Sequence, residues 1–155
     1  MSRIFVASSL IVCTMDDSDP AKRDRCRDLL ASLRAPAQGA AADPQGVVST
    51  QVLQETYAVA TRKLRVDPLI AAGAVRSLEL LEVVTVTPEI IHAAIDCSIL
   101  NTLSFCDALL VAAAASARCD TLWTEALTPG QTLLGVRIEN PLQDDAPPIR
   151  LDWQR

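Results

Sequence analysis

The sequence predicts one α/β domain: a central, mostly parallel sheet of about five strands with helices on both faces. Three observations predict it. Short β-branched runs alternate with longer stretches of helical periodicity, the pattern of strands joined by crossover helices. Three of those helices open on the same signature of a side-chain acceptor followed by proline: Asp19–Pro20, Asp67–Pro68 and Thr87–Pro88. The chain has 155 residues, 50% of them hydrophobic and 21% charged, which suits one packed core.

In chain order, Arg3, Phe5 and Val6 lead into Leu10–Ile11–Val12, an apolar β-branched run that reads as a central strand buried on both faces. Asp19–Pro20 then starts a helix in which Cys26, Leu29, Leu30 and Leu33 recur at helical spacing, ending near Arg34. Residues 35–46 are rich in Ala, Pro and Gly without periodicity and read as a surface loop. Val47–Val48 reads as a short strand, and Ser49–Thr50 caps a helix to about Leu64. A helix from Asp67–Pro68 through Leu81, a strand at Val83–Val86 and a helix from Thr87–Pro88 to about Leu103 follow. Ser104 opens a further helix through Ala117, whose small residues permit close packing and more often mark core than interface. Asp120–Thr124 is a fourth strand and Val136–Ile138 a fifth. The domain spans residues 1–142. Residues 143–155 read as a tail, or as an added edge strand through the alternation of Ile149, Leu151 and Trp153. In a parallel sheet the functional crevice lies beyond the carboxyl ends of the strands, so Ala7–Ser9, Ser49–Glu55 and Thr124–Ala126 are expected near one another.

The net charge of −5 excludes a protein that coats nucleic acid or anionic membrane by bulk charge, so any nucleic-acid contact must be local. Five cysteines, an odd number without a C-x-x-C pair, indicate neither a disulfide framework nor a zinc site and fit a reducing compartment. The apolar stretch Ile4–Met15 lacks the features of a signal peptide, and Asp107 interrupts the apolar run Ile99–Ala117, which reads as buried helix rather than membrane span. A cytoplasmic location is expected.

Several residues carry chemistry in one reading and structure in another. Glu55 has Val52 and Val59 as its helical neighbours, so its carboxylate leaves from an apolar flank; alternatively it turns outward or pairs with Arg62. Ser104 and Asp107 have the spacing of a capping box, and the same first-turn carboxylate, kept ionised by the helix dipole, suits a metal. Asp16, Asp17 and Asp19 read as solvated loop and helix cap. Lys22, Arg23, Arg25 and Arg27 cluster on one helix and Arg62, Lys63 and Arg65 end another; both sets serve as solvent faces or as phosphate contacts. His92 reads as a packed or boundary residue rather than a base, and neither a P-loop nor a G-x-G-x-x-G motif is present.

The segments IFVASS (4–9), VSTQVLQETYAVATRKL (48–64), SFCDALLVAAAA (104–115) and CDTLWTEALTPGQTLLGVRIENP (119–141) together resemble a PIN domain of the bacterial VapC toxin type. The resemblance runs to about residue 142 and implies a three-layer α/β/α fold, an endoribonuclease whose acids hold Mg²⁺ or Mn²⁺, an antitoxin partner and a homodimer. Hard divalent cations take oxygen ligands and assist phosphodiester hydrolysis through them. It assigns catalytic and metal-binding roles to Glu55 and Asp107, and leaves Arg62 and Lys63 to guide the RNA backbone.

Two expected acids are missing. The family's first acid, after the first strand, falls on Ala7, with Ser8 and Ser9 retained; its fourth falls on Ala126, after Thr124 and Glu125. Three explanations compete: a deliberately disarmed chain, a naturally degenerate member kept for binding or dimerisation, or replacement of the lost ligands by Glu125 and Asp16. The expectation is a toxin-type ribonuclease with impaired activity, the alternative a silent PIN domain.

Overall fold

In the computed structural model, which describes residues 2–143, thirteen segments alternate much as the sequence predicts. Strand β1 (Arg3–Val6) begins the chain and helix α1 (Ser8–Cys13) follows it. The predicted first strand therefore stops at Val6. Leu10, Ile11 and Val12 lie on α1 instead, all buried, because a fully buried helical turn shows the same unbroken apolar run as a central strand.

The three acceptor–proline signatures all cap helices. Asp19 accepts from the Lys22 amide to start α2 (Pro20–Ala31), Asp67 from Leu69 to start α4 (Pro68–Leu78), and Thr87 from Ile90 to start α5 (Pro88–Asn101). Ser49 caps α3 (Thr50–Arg62) and Ser104 caps α6 (Phe105–Ser116). The predicted loop 35–46 contains a 3₁₀ turn, Pro36–Gln38, and gives up its last two residues to β2 (Gln45–Ser49). Gly46 fits there because a β-carbon would lie 3.0 Å from both the Leu33 Cβ and the Leu81 Cδ2 atoms. β3 is Glu82–Val84 and β4 is Thr121–Trp123.

The sheet has six strands, one more than expected, in the order β3-β2-β1-β4-β6-β5. The addition is β5 (Thr132–Leu133), antiparallel to β6 (Val136–Glu139) at the edge. Leu134 and Gly135 join them at φ 50° and 80°, the pair of left-handed residues that a type I′ hairpin requires. Leu-Gly is a weak written signal for that turn, so the strand went unpredicted. All other pairings are parallel.

Register sets the layers. Gly46, Ile4, Thr121 and Arg137 align across the sheet and share one face; Val47, Phe5, Leu122 and Ile138 share the other. The first face receives α2, whose Leu29 lies with Ile4, Thr121 and Trp123. On the other side α6 runs over β2, β4 and β6 and packs along α5. Ala108, Ala112, Ala113 and Ala114 are buried, so the alanine run of α6 is core. Phe5, Val47, Val48, Leu122, Trp123 and Ile138 are at most 2% exposed and anchor the center of the sheet. The predicted tail or edge strand at 143–155 lies, beyond Gln143, outside the described residues.

Candidate functional site

Strands β2 and β4 leave β1 on opposite sides, so the chain order reverses between β1 and β4 and a crevice opens beyond their carboxyl ends. Ala7 stands there, held by its amide to the Trp123 carbonyl at 3.0 Å. It is the N-cap of α1 yet offers no side-chain cap, and is 3% exposed. Across from it, after β4, the buried Thr124 hydroxyl accepts from the Ala126 amide at 3.1 Å and turns the loop, leaving Ala126 exposed. Two of the three predicted segments are joined directly, the Ser8 hydroxyl donating to Glu55 Oε1 at 3.1 Å, and the third follows Trp123, whose carbonyl accepts from Ala7.

Glu55 is half-buried on α3 and is held by that serine and, more loosely, by Gln51 Nε2 at 3.5 Å from Oε2. It makes no pair with Arg62, the structural alternative. Gln51 also donates to the Cys106 carbonyl at 3.1 Å, bridging α3 to the first turn of α6 one residue before Asp107. A single chain of hydrogen bonds therefore runs from Ser8 through Glu55 and Gln51 to the helix turn bearing Asp107. Gln51 escaped the sequence reading because a glutamine one turn before an acid looks like ordinary helix surface; its 8% exposure shows otherwise. Asp107 does serve in a cap: its amide donates to the Ser104 oxygen at 3.2 Å, and that hydroxyl donates back to Asp107 Oδ2 at 2.9 Å. Capping leaves carboxylate lone pairs free, so the two readings of Asp107 are compatible.

Other acids are committed elsewhere. Glu125 Oε2 lies 2.9 Å from Lys22 Nζ on α2, and this pairing raises the lysine pKa. Asp16 accepts from both the amide and hydroxyl of Ser18, at 3.0 and 2.6 Å, which holds its carboxyl below the usual range. Glu139, at the end of β6, is 1% exposed and ion-paired with Arg137. Arg62 and Lys63 are exposed at the end of α3, and His92 is exposed on α5 rather than packed.

Among the described residues no three His, Cys, Asp or Glu side chains cluster as a metal cage. The oxygen donors that are present nevertheless suit Mg²⁺, which binds through one or two carboxylates and keeps waters and substrate phosphates in its remaining positions. Two further oxygens, Gln51 Oε1 and Ser9 Oγ, are buried without a partner. The fit is therefore to a hard cation, with protein ligands at the minimum.

A mostly parallel sheet between helical layers, with Glu55 held by Ser8 at its switch point, marks the class as a three-layer α/β/α protein. The PIN domain profile matches residues 4–125, and the chain belongs to the PIN domain family. No curated protein matches it significantly. Among solved structures it is similar to Mycobacterium tuberculosis VapC20, a sarcin-ricin loop cleaving toxin, at 23% identity and TM-score 0.64, over 86% of this chain and 98% of that one. It is also similar to a toxin–antitoxin complex from Klebsiella pneumoniae (14% identity, TM-score 0.62, 86% and 94% covered). A third likeness is DNA-bound VapBC from Salmonella typhimurium (17%, TM-score 0.60, 90% and 98%). At these identities the likeness shows the fold. None of the helices in the described residues is long and apolar enough to cross a membrane.

Proposed function

We propose that this chain is an endoribonuclease of the VapC toxin type, the toxin of a toxin–antitoxin pair, whose site is reduced to two acids and therefore cuts RNA slowly. The observation that carries the reading is the hydrogen-bonded chain Ser8–Glu55–Gln51 that ends beside Asp107, within a family fold whose solved neighbours include toxins of this type. Glu55 and Asp107 would hold Mg²⁺ or Mn²⁺, which supplies charge stabilisation at a phosphate and lowers the pKa of water. Ser8 orients Glu55. Gln51 ties the α3 carboxylate to the α6 turn, fixing the spacing between the two acids. Glu125 is the nearest replacement for the acid missing at Ala126, but its ion pair with Lys22 competes with ligation. Arg62 and Lys63 guide the RNA backbone.

An antitoxin is the expected protein partner, since solved neighbours are titled as toxin–antitoxin complexes. A homodimer is the expected assembly, and the exposed Ile91, Ile95 and Ile99, at successive fours on α5, offer an apolar stripe for it. The absence of any disulfide among the five cysteines is consistent with a cytoplasmic setting.

The second reading, a silent PIN domain that binds without cutting, is favoured by one observation: alanine stands at both positions where the family carries an acid, Ala7 and Ala126. One assay separates them. Structured RNA is incubated with the chain in Mn²⁺ and in EDTA, beside Glu55→Gln and Asp107→Asn. Slow cutting that requires Mn²⁺ and vanishes in both variants supports the nuclease; no cutting above the EDTA control leaves the silent reading.

A further inference from the structure

Beyond the crevice, the fold joins the two basic clusters that the sequence keeps 36 residues apart (Arg27 to Lys63). A cleft of about 700 Å³ opens between the α1–α2 loop and the α3–α4 turn, and Arg27, Lys63 and Arg65 all line it. Met15, Leu64, Val66 and Ile70 form its apolar wall. Three carboxylates share the lining, Asp16, Asp17 and Asp67, so formal charge is balanced and partnering decides what the cleft attracts. Each acid is engaged: Asp16 by Ser18 at 2.6 Å, Asp17 by Arg23 at 2.6 Å, and Asp67 by the Leu69 amide it caps at 2.8 Å. The cations are less committed. Arg27 uses only Nε, to the Thr14 carbonyl at 3.0 Å. The Lys63 and Arg65 side chains have no hydrogen-bond or ion-pair partner among the described residues. Arg65 also stands at φ 54°, where Gly or Asn would be less strained.

We infer that this cleft is a phosphate subsite for the RNA backbone, formed by Arg27, Lys63 and Arg65 and separate from the acidic crevice. The inference rests on the ribonuclease reading. Guanidinium groups clamp phosphate oxygens through paired N–H donors, and an ammonium adds a point charge. Lys63 is eight residues beyond Glu55 on α3, about 12 Å along the helix axis. A strand whose scissile phosphate sits at Glu55 thus has a second anchor further along its backbone. Such contacts position RNA without reading its sequence.

The test reads binding without cutting. Fluorescence anisotropy with an uncleavable 2′-O-methyl single-stranded RNA, in EDTA, is followed across KCl concentrations for the unmodified chain and for Arg27→Gln, Lys63→Gln and Arg65→Gln. Lys63→Arg keeps the charge, and Arg76→Gln, on α4 outside the cleft, is the control; circular dichroism confirms that each variant is folded. Each neutralising change is expected to weaken binding about 5–10-fold at low salt and to flatten the log K against log salt slope by about 0.7, the share of one phosphate contact. Lys63→Arg and Arg76→Gln should retain both. Slopes and affinities unchanged in all three neutral variants overturn the subsite. So does competition in which inorganic phosphate or AMP alone accounts for the variants' effect, which makes the ligand a free phosphate, or poly-glutamate binding lost in the variants while RNA binding is kept, which makes it an acidic polypeptide. If the unmodified chain binds no RNA, the subsite falls while the Mn²⁺ cutting assay still decides the ribonuclease reading; if it binds but shows no Mn²⁺-dependent cutting in that separate assay, the ribonuclease reading falls.

Discussion

Replacing both alanines at the crevice, as Ala7→Asp plus Ala126→Asp, should invert the response of the protein to metal. Without metal the double variant pays at one position. Ala7 is 3% exposed and its neighbour Ser8 hydrogen-bonds Glu55, so a new carboxylate is buried near an existing one. An uncompensated buried charge costs on the order of 3 kcal/mol. Part is returned, because Ala7 is an N-cap without a side-chain acceptor and aspartate in that position stabilises a helix by about 1 kcal/mol. Ala126 is exposed and contributes little. The net loss of about 2 kcal/mol lowers Tm by roughly 4–8 °C in a chain of this size. With Mn²⁺ at 100 times its dissociation constant, binding to the folded state alone adds about 2.7 kcal/mol, which raises Tm by roughly 5–11 °C from the EDTA value. Differential scanning calorimetry in EDTA and in Mn²⁺ reads both terms. The unmodified chain should shift far less, since it offers two carboxylates rather than four. A double variant whose Tm is the same in EDTA and Mn²⁺ would show that positions 7 and 126 do not face a common metal site, and would refute the reasoning. An equal shift in the unmodified chain would show that the missing acids are not needed for binding.

Three further outcomes follow from packing, turn geometry and thiol burial. Gly46→Ala places a β-carbon 3.0 Å from Leu33 and Leu81 side-chain atoms and should cost about 1–3 kcal/mol in urea denaturation, with the denaturant slope unchanged. Leu134→Asn relieves a left-handed leucine that is 52% exposed, and should raise stability by about 0.5–1 kcal/mol in the same measurement. Ellman's reagent at pH 8 should label Cys106 rapidly and the buried Cys13, Cys26, Cys97 and Cys119 only on unfolding. Burial pushes Cys26 and Cys119 up to about 12, from an ordinary 9.0. These thiols keep their protons in the folded chain after unfolded ones ionise. Stability should therefore fall as pH rises from about 9 toward 12, and Cys26→Ser plus Cys119→Ser should flatten that fall even though it lowers stability at neutral pH.

What could be read in advance was local. Acceptor–proline pairs mark helix starts because capping involves a few consecutive residues, and each of the three marked a real one. What could not be read depends on residues distant in the chain. The run Ile4–Val12 splits at Ala7–Ser8 into strand and helix, and its two apolar halves, Ile4–Val6 and Leu10–Val12, read alike because both are buried. Gly46 reads as loop composition until Leu33 and Leu81 close over it. The same division runs through the site. Glu55 and Asp107 were legible as acids on helices, but the hydrogen bonds that hold Glu55 come from Ser8 and Gln51, 47 and four residues away. Capping and ligation at Asp107 looked like rivals in the sequence. In the fold Ser104 holds the carboxylate in place, so the cap orients the group that the chemistry would use. The missing acids invert this logic: Ala7 keeps its backbone bond to Trp123, and Thr124 still turns the loop at Ala126. The main chain at both positions is thus held by contacts that do not require a carboxylate, so the scaffold accommodates alanine at each without losing either contact.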